Sequence, residues 1–226
     1  MRLARLVSTL IVAMSLVACA GDAAGSPLPL AQRVVGAAEA PGSEPDPVET
    51  QVAVSGLEEL EAEFDGPPAY EEDLAAIGEA GFVSAIFDTR FFPTEAGGEH
   101  APGIPHVFTA VYEFESEAGA RAAAEVAHRI ALRPCPETCA YEITEFEPSG
   151  IADATGVQAI ATQESIDRIG DDIQPDARYS VFFADGPLVY EVTMFGRPDD
   201  VTAEQVEDIA AALHERVDGA PLPESP

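Results

Sequence analysis

Two cysteines lie four positions apart in the stretch Arg133-Pro134-Cys135-Pro136-Glu137-Thr138-Cys139. A straight helix would place two thiols at this spacing poorly for a disulfide. Pro134 and Pro136 exclude a straight helix, so a compact turn can bring the sulfur atoms together. A redox or metal site is the alternative, but the spacing is not Cys-x-x-Cys and no second pair exists to complete a zinc site. We predict a structural disulfide between Cys135 and Cys139, as is usual outside the cytoplasm.

Glu99, His100 and His106 lie in or beside the Gly/Pro-rich stretch from Pro93 to Pro105. Imidazole and carboxylate groups together can hold a transition metal, and a six-residue spacing across a loop permits this geometry. An exposed loop without a metal explains the same composition more simply. The three residues are therefore weak candidate ligands, and we predict neither a metal nor a cofactor.

Sequence motifs for catalysis are missing. The chain has no Gly-x-Ser-x-Gly elbow, no His-Glu-x-x-His, no Walker loop and no Gly-x-Gly-x-x-Gly. Asp167, Asp171, Asp172 and Asp176 supply oxygen atoms that calcium prefers, but they lack the EF-hand spacing, so we expect a solvated acidic loop. We predict that the chain is not an enzyme.

The N-terminus combines two arginines, Arg2 and Arg5, with an apolar run over residues 6–18, which is too short to span a bilayer comfortably. The run ends in Leu16-Val17-Ala18-Cys19, which is similar to the lipobox of bacterial lipoproteins. The resemblance implies diacylglyceryl transfer to the Cys19 thiol and cleavage after Ala18. A secretory signal with an unrelated cysteine is the alternative. We expect a protein that is lipid-anchored on the outer face of the cytoplasmic membrane, in the cell envelope.

The charge is strongly negative, with 41 acidic residues against 11 basic ones. Cleavage would remove Arg2 and Arg5 and leave a net charge of −32 on 208 residues. Nucleic acid is excluded as a partner, because its binding needs clustered Lys or Arg. An anionic lipid surface would also repel the domain, so membrane contact is predicted through the N-terminal lipid only. Lys and Asn are absent, which indicates a GC-rich genome. The charge leaves an envelope protein or a small molecule as the possible partner.

Composition divides the mature chain into three parts. Residues 19–47 hold the lipidated cysteine and an Ala/Gly/Pro/Ser-rich stretch without periodicity, which predicts a disordered tether. Residues 48–218 form a single globular domain. Residues 219–226 are predicted to be a disordered tail.

The domain contains alternating strand and helix patterns. Helices are predicted over residues 57–64, 69–80, 116–132 and 202–217, and strands over residues 82–92, 107–114, 140–146, 156–163, 179–183 and 188–195. We predict an α+β fold in which helices pack on one face of an antiparallel sheet. Strand, loop, strand and helix occur twice in that order, so two β-β-α pseudo-repeats are a further hypothesis.

The last two strands and the last helix give the clearest pattern. Asp185-Gly186 is predicted to form the turn of a hairpin, and Thr202 to open a helix with a capping box. This unit, Asp185-Gly186-Pro187-Leu188-Val189-Tyr190-Glu191-Val192 with the helix over 202–217, resembles the C-terminal part of extracytoplasmic sensor domains of actinobacterial lipoproteins and some Ser/Thr kinases. The chain departs from that pattern because it has no Trp.

Two classes of function remain after these steps. A non-catalytic binding or sensing module is the first hypothesis. A cell-envelope hydrolase using Asp, Glu and His side chains, or a carrier of a lipophilic ligand, is the alternative. Two converging carboxylates of perturbed pKa in a deep pocket would favour the hydrolase, whereas an apolar groove would favour the module or the carrier.

We predict that Cys19→Ala abolishes lipid attachment and leaves an uncleaved precursor, because the thiol is the acyl acceptor. Metabolic labelling with a fatty-acid analogue measures this directly. Equal labelling of the wild type and the variant would contradict the prediction.

Overall fold

A computed structural model describes residues 27–47, 50–63, 71–93, 104–133, 141–162 and 177–222 of the chain. Within these ranges eight strands form one antiparallel sheet. The strands are β1 (Glu44–Pro45), β2 (Val52–Ser55), β3 (Phe82–Phe91), β4 (His106–Phe114), β5 (Tyr141–Phe146), β6 (Thr155–Ala161), β7 (Ala177–Asp185) and β8 (Leu188–Gly196). The predicted α+β class with an antiparallel sheet is confirmed.

The strand order is β1-β3-β4-β8-β7-β6-β5, with β2 also pairing with β3. The pair β4–β8 is central, and its register runs from His106 opposite Phe195 to Glu113 opposite Leu188. Successive side chains of a strand point to opposite faces. Because both central strands carry buried apolar side chains on both faces, each face of the sheet needs a covering layer.

The helices supply cover on both faces, not on one face as predicted. They are α1 (Leu57–Glu63), α2 (Glu71–Glu79), α3 (Glu117–Ala131) and α4 (Ala203–Val217). Helices α1, α2 and α3 pack on the face that carries Tyr112 and Val189, called here the α3 face. Helix α4 packs on the face that carries Val111 and Tyr190, called here the α4 face.

Helix α3 begins where the sequence predicts. The Ser116 hydroxyl accepts a hydrogen bond from the Gly119 N–H at 3.1 Å, which satisfies one of the free N–H groups of the first turn. A Cβ atom at Gly119 would lie 2.0 Å from the Ala80 carbonyl oxygen. Only glycine therefore lets the start of α3 approach the end of α2 so closely.

The predicted hairpin and last helix are confirmed, but the turn lies one residue later than the predicted pair Asp185-Gly186. The two residues of the turn are Gly186, at φ 55°, and Pro187, with Asp185 paired to Leu188. Thr202 and Gln205 form the predicted capping box of α4. The buried stripe of α4 packs on the α4 face of β7 and β8; it consists of Val206, Ile209, Ala210, Leu213 and Val217.

The predicted tether is wrong for residues 27–47, which we call the N-terminal strap. Val34, Val35 and Ala40 are buried in the core of the α4 face. Arg216 of α4 donates from Nε to Glu39 Oε1 at 2.6 Å and from Nη2 to the Val34 carbonyl at 2.7 Å. The apolar residues of the strap are too few to show a helix or strand periodicity. The Ala/Gly/Pro/Ser-rich composition therefore led to the prediction of a disordered tether. Residues 19–26 of the tether lie outside the described ranges.

Arg33 of the strap is fully buried and joins both ends of the domain. Its Nη1 donates to the Tyr190 hydroxyl at 3.0 Å, and its Nη2 donates to the carbonyls of Ala220 and Pro221. Burial raises the pKa of Tyr190 to about 12, although the Arg33 guanidinium opposes the rise. Residues 219–222 of the predicted tail are thus held against the strap, and the ordered domain extends at both ends beyond the predicted bounds of 48 and 218.

The two β-β-α units do not have the geometry of a repeat. A twofold axis that exchanges the antiparallel strands β4 and β8 is perpendicular to the sheet, so it maps each face of the sheet onto itself. Two repeated units would therefore place their helices on the same face. Helix α3 follows β4 onto one face and α4 follows β8 onto the other. The two units are therefore of opposite hand, and the pseudo-repeat hypothesis is not supported.

Leu213→Ala should lower the free energy of unfolding by about 2–5 kcal/mol, because it leaves a void in a fully buried stripe of α4. Asp208→Ala, at an exposed position of the same helix, should change the stability by about 0.5 kcal/mol or less. Glu207 is unsuitable as the control because it accepts from the Ser149 hydroxyl at 2.8 Å. Equal, negligible shifts of both urea midpoints would show that α4 is not part of the core.

Candidate ligand-binding cavity

A cavity of about 230 Å³ lies between α3 and the sheet. Three alanines of α3, Ala123, Ala127 and Ala131, line it at four-residue intervals. Residues at this spacing share one face of a helix. Alanine methyl groups opposite large aromatic side chains leave space unfilled, so this stripe of α3 contributes to the cavity, which Ile130 of the same helix also lines.

Aromatic rings from the sheet form most of the opposite wall. They are Phe87, Phe108, Tyr112, Phe114 and Phe182. Phe87 stacks on Phe108 with the ring centroids 6.0 Å apart, and it meets Tyr112 edge-on at 5.8 Å. Contacts between the rings hold the wall in place without a ligand.

Glu191 of β8 brings a carboxyl group into this apolar wall. Its Oε1 accepts from the Thr193 hydroxyl at 3.0 Å, and the Thr193 hydroxyl lies 2.8 Å from the Ser180 hydroxyl. Thr193 and Ser180 are directly opposite each other on β8 and β7. The sheet thus fixes one carboxyl oxygen through a short relay of hydroxyl groups.

Burial sets the protonation of the groups in the cavity. Desolvation raises the pKa of Glu191, and the hydrogen bond from Thr193 and the charge of Arg178 offset only part of the rise. Desolvation also raises the pKa of Tyr112 well above its usual value, with a further contribution from the charge of Glu191. The Glu191 side chain is half-buried and keeps some accessible surface.

Arg178 of β7 lines the cavity with its guanidinium group. Its Nη2 donates to the Ala131 carbonyl at the end of α3, at 2.9 Å. Its Nε is shielded from solvent and has no hydrogen-bond partner. No hydrogen bond joins the Tyr112 hydroxyl, on β4 at the other side of β8, to another described residue. The accessible Nη1 group of Arg178 and the Tyr112 hydroxyl are donors without partners among the described residues, so the cavity favours a molecule that supplies an acceptor.

Sequence analysis missed Tyr112, Arg178 and Glu191. One signal was present, because Glu191 is the single charged residue in the apolar run of β8. Both faces of β8 are covered by other parts of the protein. A charged side chain on this strand therefore lies in a buried layer and not in solvent. The partner strands and α3 come from elsewhere in the chain, so the sequence alone did not place the three residues together.

Most of the predicted site residues lie outside the described ranges. These are Cys19, Cys135, Cys139, Glu99 and His100, and the lipid anchor, the disulfide and the metal site therefore stay predictions. His106 is described: its ring stacks on Phe195 at 4.8 Å, and its Nδ1 lies 3.1 Å from the Ile104 carbonyl oxygen. These contacts place His106 at the start of β4 in an aromatic setting.

A second, more polar cavity of about 420 Å³ lies beside the N-terminal half of α3. Its charged side chains have partners close by. Arg121 pairs with Glu117, and His128 Nε2 lies 3.2 Å from Glu145 Oε1. Because more polar and charged groups and fewer aromatic rings line this cavity, it has less of the composition of a small-molecule site than the first cavity.

The fold is similar to a solved structure, the extracellular domain of PknH from Mycobacterium tuberculosis, with a TM-score of 0.50. Sequence identity is 13%, and the alignment covers 84% of this chain and 98% of that chain. At this identity the similarity shows a shared fold alone, and at that level it agrees with the predicted resemblance to extracytoplasmic domains. No protein-family model matches the chain, and no curated protein matches it either. Among the described residues, no helix has the length and hydrophobicity to cross a membrane.

Glu191→Gln should be more stable than the wild type at pH 8 and equally stable at pH 4. The variant keeps the oxygen that accepts from Thr193 and removes the ionisable group. Because the folded protein raises the pKa of Glu191 above 4.5, it binds the proton more tightly than the unfolded chain, so the wild type loses stability as the pH rises through this window.

Urea melts across this pH range measure the difference between the two proteins. Glu125→Gln, which alters an exposed carboxylate of α3, is the matched control. A gain for Glu191→Gln that is constant from pH 4 to pH 8 would show that ionisation of Glu191 is not its cause.

Proposed function

We propose that the chain is a non-catalytic, lipid-anchored module outside the cell that binds a small molecule in the cavity beneath α3. The observation that supports this most strongly is the cavity itself. It is apolar and aromatic over most of its wall, and it has a few polar groups held in fixed positions. Small-molecule binding sites have this composition.

The carboxyl groups argue against the alternative of a hydrolase. A glycosidase-type site needs two carboxyl groups that flank the scissile bond. Among the described residues that line the cavity, Glu191 alone has a carboxyl group. The arrangement suits recognition of a ligand, either for sensing or for carrying a lipophilic molecule.

The fold neighbour supports the proposed location, since it is an extracellular domain. The lipobox supports the same location independently. If Cys19 is acylated, seven residues separate it from Pro27 at the start of the strap, and the eight steps between the two Cα atoms span at most about 28 Å in an extended chain. The corrected length of the tether therefore keeps the domain close to the membrane surface.

Naphthalene is a suitable probe of the cavity, because the chain has no Trp whose fluorescence would overlap with it. We expect saturable binding at one site. Ala127→Leu should weaken binding at least tenfold, since the larger side chain occupies the cavity. Ala122→Leu, at an exposed position of the same helix, should leave the affinity unchanged.

Circular dichroism melts confirm that both variants are folded before titration. Absence of saturable binding to the wild-type chain would contradict the proposal. Equal affinities of the two folded variants would place the site elsewhere.

A further inference from the structure

We propose that the ligand of this cavity is a small amphiphile whose head group is a hydrogen-bond acceptor, a carbonyl or a carboxylate, held by Arg178 and Tyr112. The inference rests on the proposed function and adds the chemical class of the ligand. It follows from the donors and acceptors that the cavity leaves unused.

The cavity has donors that no acceptor within the described ranges uses. Arg178 Nη2 donates to the Ala131 carbonyl, and Nε is shielded from the cavity as well as from solvent, whereas Nη1 is not fully shielded and has no hydrogen-bond partner among the described residues. The Tyr112 hydroxyl is a second donor on the same wall. The Glu191 oxygen Oε1 already accepts from Thr193. A ligand that brings an acceptor pairs with the Arg178 Nη1 group or the Tyr112 hydroxyl, whereas a ligand that brings only donors leaves the Nη1 group unpaired.

The charge of Arg178 also favours a ligand with an acceptor head group. An arginine in protein is always protonated, and no ion pair within 4.0 Å joins Arg178 to an acidic side chain in the described part of the chain. Glu191 is close enough to interact electrostatically with Arg178, but burial opposes its ionisation. A cationic head group would lie near the fixed charge of Arg178 and be repelled by it.

The size and shape of the cavity define the rest of the ligand. At about 230 Å³, it exceeds the roughly 150 Å³ cavity that admits benzene and falls below the roughly 300 Å³ at which pockets for drug-sized ligands begin. The aromatic wall suits one ring or a short branched chain. The body of the ligand is therefore a single ring or a chain of similar volume.

Four probes with the same phenyl body separate the head groups. They are 3-phenylpropionate, 4-phenyl-2-butanone, 3-phenylpropylamine and propylbenzene, titrated into the full mature chain and followed by ligand-observed NMR. The ketone or the carboxylate should bind at least tenfold more tightly than the amine and propylbenzene, and comparing the two distinguishes a neutral acceptor from an anionic one.

Two variants test which residues hold the head group. Arg178→Gln and Tyr112→Phe should each weaken binding of the better acceptor probe, the former about tenfold, and leave propylbenzene unchanged. Tyr179→Phe is the matched control, because Tyr179 lies on the α4 face. It should bind all four probes as the wild type does.

The outcomes separate the two proposals. If propylbenzene binds as tightly as the ketone and the carboxylate, the cavity is a binding site but the acceptor inference is wrong. If the amine binds most tightly, Glu191 and the rings form a cation site and the inference is also wrong. If none of the four probes and no naphthalene binds, the proposed function itself is wrong.

Discussion

The pairing of β4 with β8 at the centre of the sheet determines where every functional group lies. Because both strands are covered on both faces, each step along β8 moves a side chain from one buried layer to the other. Tyr190 therefore meets Arg33 and the strap on the α4 face. Its neighbour Glu191 meets the cavity on the α3 face. A shift of register by one residue would exchange the two, so the fold and the site depend on the same pairing.

The two faces of the sheet are covered in different ways. On the α4 face, a stripe of large side chains and the strap fill the layer, and Arg33 and Arg216 satisfy free carbonyls of the strap and the C-terminal residues. On the α3 face, the helix offers alanines to the sheet, and space remains. The α4 face is thus filled and holds both ends of the domain in place. The α3 face retains a cavity, in which the sheet holds Arg178 and Glu191.

Local patterns predicted the elements of the domain well. The caps of Ser116 and Thr202 and the hairpin before α4 are short-range signals, and the structure has them. The strap was missed because its few apolar residues pack through contacts far along the chain, of which Arg33 with Tyr190 is an example. The placement of helices on both faces and the cavity were missed for the same reason. They depend on which strands become central, which periodicity within a segment does not specify.

Intermolecular nuclear Overhauser effects between 4-phenyl-2-butanone and the protein test the central claim that the cavity beneath α3 binds the ligand. We predict effects from the probe to the ring protons of Phe87 and Phe108 and to the methyl group of Ala127, all of which line the cavity. Effects confined to Ala211 and Ile151 on the α4 face, or to Ala124 in the second cavity, would contradict it.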